Sequence, residues 1–404
     1  MTVDRELLDA CTHCGFCLPT CPTYGPLWQK EADSPRGRIY LMEGLADGSL
    51  SLTTTVVDHV DRCLGCMACV SACPSGVRFD LLIEQAREHV EQNYERSPDD
   101  WLVRTLAFAV LPHPRRMRAA VGLARAGRHF PQPASLRPFV ELTPSWHPTE
   151  REPLPRLTPA NGERRLRVGL LAGCVQRVLF GGVNAATARV LAADGCEVVV
   201  PRGQGCCGAL HLHAGRREEG HDRARRVEEV FRKAAVDAIV VNAAGCGSHL
   251  KDAGLDLPVH DVTELLAELG PRAARRPLPV RVAFQDSCHL AHAQGVVDQP
   301  RATLAAIPEL ETAEPAEQAI CCGSAGIYNL VQPEVARELG ERKATNVLAV
   351  EPDVYASANP GCLVQVATAL RRAGRALPSL HPVELVDASI RGVPADNLLA
   401  GARR

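Results

Sequence analysis

Hydrophobic and polar positions follow two rhythms along this chain, and the change falls near residue 165. Before it, apolar residues recur at helical intervals. Pro35–Leu45 follows Ser34, a residue type that caps helices, with proline at the first helical position. Thr53–Arg62 reads as a second short helix and Arg78–Asn93 as a third, amphipathic one. Alternating Val/Ile-rich runs are missing here, so no sheet is expected before residue 165. Beyond it, short apolar runs alternate with helical stretches. Leu166–Ala172 reads as a buried strand ending in Gly173-Cys174, Asn184–Ala193 as a helix and Cys196–Val200 as a strand. Arg216–Ala235 is a long polar helix, and the strand Ala238–Asn242 runs toward Gly245-Cys246. The series then restarts: Val280–Phe284 leads to Cys288, Pro333–Val347 is helical, and Val354–Asn359 leads to Gly361-Cys362. Such alternation predicts parallel-sheet α/β units.

The restart is an internal repeat. Cys174, Cys206-Cys207-Gly208 and Asn242-Ala-Ala-Gly-Cys246 are matched by Cys288, Cys321-Cys322-Gly323 and Asn359-Pro-Gly-Cys362. The gaps are 32 and 33 residues, then 39 and 40. Two matching gaps predict a pseudo-two-fold pair of α/β domains.

Between the two rhythms lies a proline-rich stretch. Residues 111–160 hold ten prolines, among them Pro112, Pro114, Pro131, Pro133, Pro153 and Pro155. That density predicts extended connector rather than long helices or central strands. From Arg104 to Arg167 there are twelve Arg against four Glu, a solvated basic connector or a docking surface for an acidic partner or anionic lipid. The expected organisation is therefore a helical domain over 1–95, a connector over 96–164, and α/β units over 165–270 and 271–404.

Composition narrows the function classes. The 404 residues are 46% hydrophobic and 23% charged, which is globular rather than disordered. A net charge of −2 gives no electrostatic case for nucleic acid. Even the apolar Trp101–Leu111 carries Arg104, so no stretch spans a membrane. The first residues, Met1-Thr-Val-Asp-Arg-Glu, show no apolar signal region, so a cytoplasmic location is expected, with peripheral contact at the membrane's inner face left open.

Cysteine changes the picture most. There are 17, an odd number, and in a reducing compartment such a count points to metal or redox chemistry rather than disulfides. Cys11-Thr-His-Cys14-Gly-Phe-Cys17-Leu-Pro-Thr-Cys21-Pro22 is a C-x2-C-x2-C-x3-C-P run, and Cys63, Cys66, Cys69, Cys73 and Pro74 repeat it without deviation. Three thiolates at this pitch wrap one face of a [4Fe–4S] cube, while the fourth reaches the other cluster. By that rule Cys11, Cys14, Cys17 and Cys73 hold one cluster, and Cys63, Cys66, Cys69 and Cys21 the second. Structural zinc uses two separated Cys pairs, not four thiols within eleven residues. Backbone amides around Gly15 and Gly65 are the expected donors to sulfur.

The other cysteines carry a second signal. Cys174, Cys246, Cys288 and Cys362 each follow a predicted strand, at the edge where open α/β sheets bind ligands. Adjacent cysteines point in different directions, so Cys206-Cys207 and Cys321-Cys322 are not both expected in a core. Convergence of Cys174, Cys206, Cys207 and Cys246 with Cys288, Cys321, Cys322 and Cys362 would make a thiolate-rich pocket, a candidate third metal site; buried inert cysteine is the alternative. Cys196, unmatched in the other half, is expected in the core. His211, His213 and His289 are candidates for tuning such a site, or plain structural histidines. Neither G-x-G-x-x-G after a strand nor a P-loop occurs, so no flavin, nicotinamide or catalytic residue is assigned.

These residues together resemble the iron–sulfur subunits of bacterial glycolate oxidases. The likeness is carried by the Cys11–Cys17 run, Ser34-Pro-Arg-Gly-Arg-Ile-Tyr40, Cys73-Pro-Ser-Gly-Val77, Cys206-Cys-Gly-Ala209, Asp286-Ser-Cys-His289, Cys321-Cys-Gly-Ser-Ala-Gly326 and Asn359-Pro-Gly-Cys362. It covers roughly residues 8–390 and extends to lactate-utilisation, anaerobic glycerol-3-phosphate dehydrogenase and heterodisulfide reductase subunits. The resemblance implies partner subunits carrying FAD, which oxidise glycolate to glyoxylate and pass electrons to this chain and on to a quinone or other acceptor. Where the heterodisulfide reductase repeat ends in C-x2-C, this chain has Ala243 and Asn359, so each half ends in one cysteine. A catalytic site in the repeat, reducing a disulfide-like substrate, is the rival reading, and a purely structural role for the clusters a third. The expected fold class is α + α/β: a helical ferredoxin-like domain followed by two pseudo-symmetric parallel α/β units.

Overall fold

A computed structural model describes residues 4–133, 136–144 and 152–400. The N-terminal region is helical, as its capping residues dictate. Helix Pro35–Asp47 starts where the Ser34 hydroxyl accepts from the Gly37 amide, and Thr53 caps Thr54–Asp61 through the Val56 amide. Together with Phe79–Asn93 these helices bury Ile39, Met42, Val60, Leu82, Ile83 and Val90 in one core.

The proline-rich stretch corrects the expectation of an extended connector. Pro98–Val110 and Pro114–Gly127 are full helices, followed by the short Arg137–Glu141. Pro98 and Pro114 occupy the first turn, where a missing N–H costs nothing, so proline starts these helices instead of breaking them. A second correction is small. Residues before 165 do contribute a strand, β1 (Leu157–Thr158), antiparallel to the edge of the first sheet.

The repeat is plain in the topology. β2 (Leu166–Leu170), β3 (Cys196–Val199), β4 (Ala238–Val241) and β5 (Val259–Asp261) form a parallel sheet in the order β3-β2-β4-β5, with β1 outside β3. β6 (Arg281–Phe284), β7 (Glu311–Ala313), β8 (Val354–Ala356) and β9 (Ser379–Leu380) repeat that order as β7-β6-β8-β9. The two halves meet through symmetric helix pairs. Gly181–Ala193 packs on Pro382–Arg391, and Val262–Leu269 on Asp298–Ala305. Their shared core runs from Val168 and Leu191 through Phe284 to Val386. Cys196 is fully buried in it, as expected, and burial pushes its thiol up to about 11.

Candidate functional site

Two small cavities open between the N-terminal helices. Cys11, Cys14, Cys17 and Cys73 line one, and Cys21, Cys63 and Cys66 line the other; Cys69 lies on the wall of both. The first cavity thus draws Cys69 and Cys73 from the second motif, and the second draws Cys21 from the first. The local backbone explains the wrapping. His13 and Gly15 take left-handed conformations in the first run, and Gly65 and Met67 take them at the same places in the second. Alternating hands turn successive amides toward one point, the geometry of an anion-binding nest. One such amide is observed on sulfur: Gly65 N–H donates to Cys63 Sγ at 3.4 Å. Each run is gripped from outside by an arginine. Arg36 donates to the His13 carbonyl at 3.0 Å, and Arg87 donates to the carbonyls of Cys63 and His213.

The thiol electrostatics differ between the cavities. The Phe16 amide lowers the exposed Cys14 thiol below its ordinary value, whereas burial, with the Cys321 thiol as the next cause, pushes Cys66 well above. That coupling marks a seam. Leu64, Cys66 and Ala68 pack in one apolar cluster with Cys321 and Tyr328, and Cys288 lies against it. Tyr328 Oη donates to the Arg62 carbonyl at 3.2 Å, and Ser71 and His292 share a 2.8 Å hydrogen bond. The second half of the repeat therefore abuts the second cavity directly.

A larger chamber, about 260 Å³, lies at the carboxyl ends of the two parallel sheets. It is lined by Cys174, Cys206, Cys207 and Cys246 from one half and Cys288, Cys321, Cys322 and Cys362 from the other. All eight repeat cysteines converge there. They do so in symmetric contacts: Cys174 Sγ lies 3.6 Å from Cys206 Sγ, Cys207 3.1 Å from Cys246, and Cys322 3.5 Å from Cys362. The hydrogen bond from Cys174 holds Cys206 well below the ordinary thiol range, while that same bond and then burial push Cys174 up. Cys322 is pushed up to about 12, first by Cys321 and then by burial.

Contrary to expectation, both members of each adjacent pair are buried. Glycine makes this fit. Gly208 has φ +100°, and a Cβ there would sit 2.3 Å from the Gly220 carbonyl oxygen; Gly323, at φ +89°, would meet the Ala336 carbonyl at 2.7 Å. The loop turns flat against helices Arg217–Lys233 and Pro333–Leu348 only without a side chain. Of the three candidate histidines, His213 and His289 line the chamber, their rings 4.8 Å apart. Burial takes His289 down to about 4 and His213 well below its ordinary value, so both are neutral. His211 turns away, its ring 5.0 Å from Phe108.

Comparison with known proteins agrees with this layout. A family model described as "4Fe-4S dicluster domain" matches residues 7–77, and one described as "Cysteine-rich domain" matches 168–251 and 282–367. A probable glycolate oxidase iron-sulfur subunit of Bacillus subtilis (strain 168) is 36% identical over 403 residues, covering 92% of this chain and 90% of the relative. The chain belongs to the glycolate oxidase iron–sulfur subunit family. The Escherichia coli (strain K12) glycolate oxidase iron-sulfur subunit is 35% identical over 406 residues, covering 95% of each. Lactate utilization protein A of Oceanobacillus iheyensis, at 25% over 243 residues, matches 56% of this chain and 99% of its own length. Like these relatives, this family member is built for iron–sulfur electron transfer, and among its described residues no helix is long and apolar enough to cross a membrane.

One device of this glycolate oxidase subunit homologue escaped sequence reading. In the first half Gln204 accepts from the Ala172 amide and donates to the Leu170 carbonyl, both at 2.9 Å. In the second, Gln318 accepts from Asp286 N at 2.9 Å and donates to the Phe284 carbonyl at 2.8 Å. Each glutamine acts as one more strand residue, tying the CCG loop to the strand that delivers Cys174 or Cys288. The signal was a glutamine before each Cys-Cys pair, at offsets of two and three residues.

Proposed function

We propose that this chain relays electrons from an FAD-bearing partner subunit, which oxidises glycolate to glyoxylate, toward a quinone. In this reading Cys11, Cys14, Cys17 and Cys73 hold one [4Fe–4S] cluster, and Cys63, Cys66, Cys69 and Cys21 the second. The observation that supports it is the crossed lining of the two cavities, Cys73 reaching the first and Cys21 the second, with Cys69 on the wall between them. Each cluster supplies reversible one-electron storage, which lets a two-electron flavin discharge in single steps. The chain's own residues do the positioning. Left-handed bends aim amides at sulfur, Arg36 and Arg87 clamp the two runs, and burial around Cys66 disfavours added charge and so sets the two sites apart in potential. The eight chamber thiols make a third iron–sulfur site, at the far side of the Cys66–Cys321 seam. The chain is not catalytic alone, since the hydride-accepting group resides in the partner. Its place is the cytoplasm or the inner face of the membrane, and its units are 1–95, 96–164, 165–270 and 271–404.

The test is EPR of the chain mixed with its flavoprotein partner and glycolate. Reduced-cluster signals are expected; clusters that stay oxidised while the flavin is reduced would end the relay reading. Lactate in the same assay decides the alternative that the likeness to lactate utilization protein A supports. Iron analysis sizes the third site, about eight irons per chain without it and about twelve with it.

A further inference from the structure

The thiols form only one side of the chamber. The opposite side is made by the helices that replaced the expected connector. Val110 and Leu111 end the first of them, Met117, Val121 and Ala124 line the inner face of the second, and Phe139 comes from the third. Spacing of three and four residues puts Met117, Val121 and Ala124 on one stripe, so this wall is a designed face of a helix rather than a gap. Among the described residues no Asp, Glu, Lys or Arg lines the chamber. An anionic ligand, a hydroxy acid or a nucleotide, would lose its hydration there and find no counter-charge. The polar features are few. His213 and His289 stand side by side on the lining, and the Nε2 atom of each is buried with no hydrogen-bond partner among the described residues. An uncharged ligand bearing carbonyl or hydroxyl groups on an apolar ring matches that inventory.

We propose that this chamber is the binding site for a quinone-class electron acceptor, seated between the thiol side and the roof of helices Pro98–Val110 and Pro114–Gly127, with the His213–His289 pair beside its ring oxygens. The outside of the roof suits a lipid-soluble ligand. Leu123 and Phe130 are 75% and 70% exposed, and from Leu111 to Val140 the sequence has six Arg and no Asp or Glu. Such a surface is suited to lie against anionic headgroups, where quinone is dissolved. The reaction balances as follows. Iron–sulfur centres held by the thiols would supply two electrons, one at a time, and a quinone seated here would take them with two protons from water to give the quinol, leaving the centres oxidised. This inference rests on the relay reading, and names its acceptor site.

The test is calorimetric titration of the oxidised, iron-loaded chain with a short-chain benzoquinone. Wild type is expected to bind, and both Ala124→Phe and Ala120→Phe, which fill the roof side, to bind at least tenfold more weakly. Leu123→Ser, on the outside, is expected to bind as wild type does. Iron content and dithionite-reduced EPR spectra must match wild type, which separates a filled chamber from a misfolded chain. Absence of binding by wild type, or equal binding by both filled variants, overturns the proposal. Cluster reduction by flavoprotein and glycolate is read in separate samples without quinone, so failure of the relay leaves the isotherm standing and failure of the chamber leaves the EPR signals standing.

Discussion

In the N-terminal region the thiols are placed by the chain immediately around them, while in the repeat they are placed by the fold. Cys11 to Cys17 reach their cavity because two left-handed residues bend seven consecutive positions around it. Cys174, Cys207 and Cys362, nearly 190 residues apart at the extremes, reach theirs because two sheets of identical strand order point their carboxyl ends at the same space. The first arrangement keeps thiols apart around a void; the second brings them into van der Waals contact at 3.1–3.6 Å. Local motifs therefore tolerate damage to the global fold, and converging motifs do not. That difference can be broken by mutation.

The largest expected effect attacks the N-terminal side from below. Asp33 is fully buried behind Cys21 and faces Arg38, Arg62 and His59, with its closest contact at 2.8 Å to His59 Nδ1. Asp33→Ala leaves the buried Arg38 guanidinium without its charge partner, at a cost of about 3–5 kcal/mol. Because the first cysteine motif is positioned locally, the visible cluster absorbance is expected to melt early while the far-UV signal of the two sheets persists. A single coincident transition in denaturant would show that the two regions fold as one unit.

The converse change targets the repeat. Gln204→Leu removes the side chain that pairs with Ala172 N and Leu170 O at the end of β2, leaving two buried backbone groups unpaired. The expected cost is about 1–3 kcal/mol, with faster alkylation of Cys206 and Cys207 and no change in the N-terminal clusters. Gln318→Leu should do the same to Cys321 and Cys322. Mass spectrometry of alkylated peptides checks both, and unchanged labelling rates would mean that the loops are held by their glycines alone.

How legible all this was from sequence follows the same division. The C-x2-C runs, the caps Ser34 and Thr53 and the strands before Cys174 and Cys288 are local patterns, and each stands within a few residues of where spacing put it. Symmetric repetition, at 32 and 33 then 39 and 40 residues, made the pairing of the halves readable too. What failed was tertiary. Proline density in 111–160 points to breakage because composition does not say which turn of a helix a proline occupies. That Val121 and Cys321 line one chamber has no local signature, and neither has the glutamine tie, whose offset differs by one residue between the halves.

The smallest effect concerns the joint between the two regions. Glu84 projects from helix Phe79–Asn93, and its carboxyl is pushed up to about 7, first by burial and then by the charges of Asp80 on its own helix and Asp252 across the seam, partly offset by Arg217. Asp252 is raised as well, with burial first and Asp80 next. In the unfolded chain Glu84 titrates near 4.5. Between pH 4.5 and 7 the folded protein therefore binds the extra proton, and linkage makes stability fall as pH rises through that window. Above pH 7 the loss is complete and the negative charges of Glu84, Asp80 and Asp252 oppose one another at the joint. Glu84→Gln keeps the shape and removes the titration. Solvent screening reduces the gain to about 1 kcal/mol at pH 8, shrinking to nothing near pH 4.5. Denaturant titrations of wild type and Glu84→Gln at pH 5, 6, 7 and 8 check this. Curves that converge toward pH 5 and separate by pH 8 place a proton-dependent contact between the locally built clusters and the convergent chamber. Parallel curves across the series would mean that the two regions dock through Arg87 and the apolar Cys66–Cys321 seam without a titratable contribution.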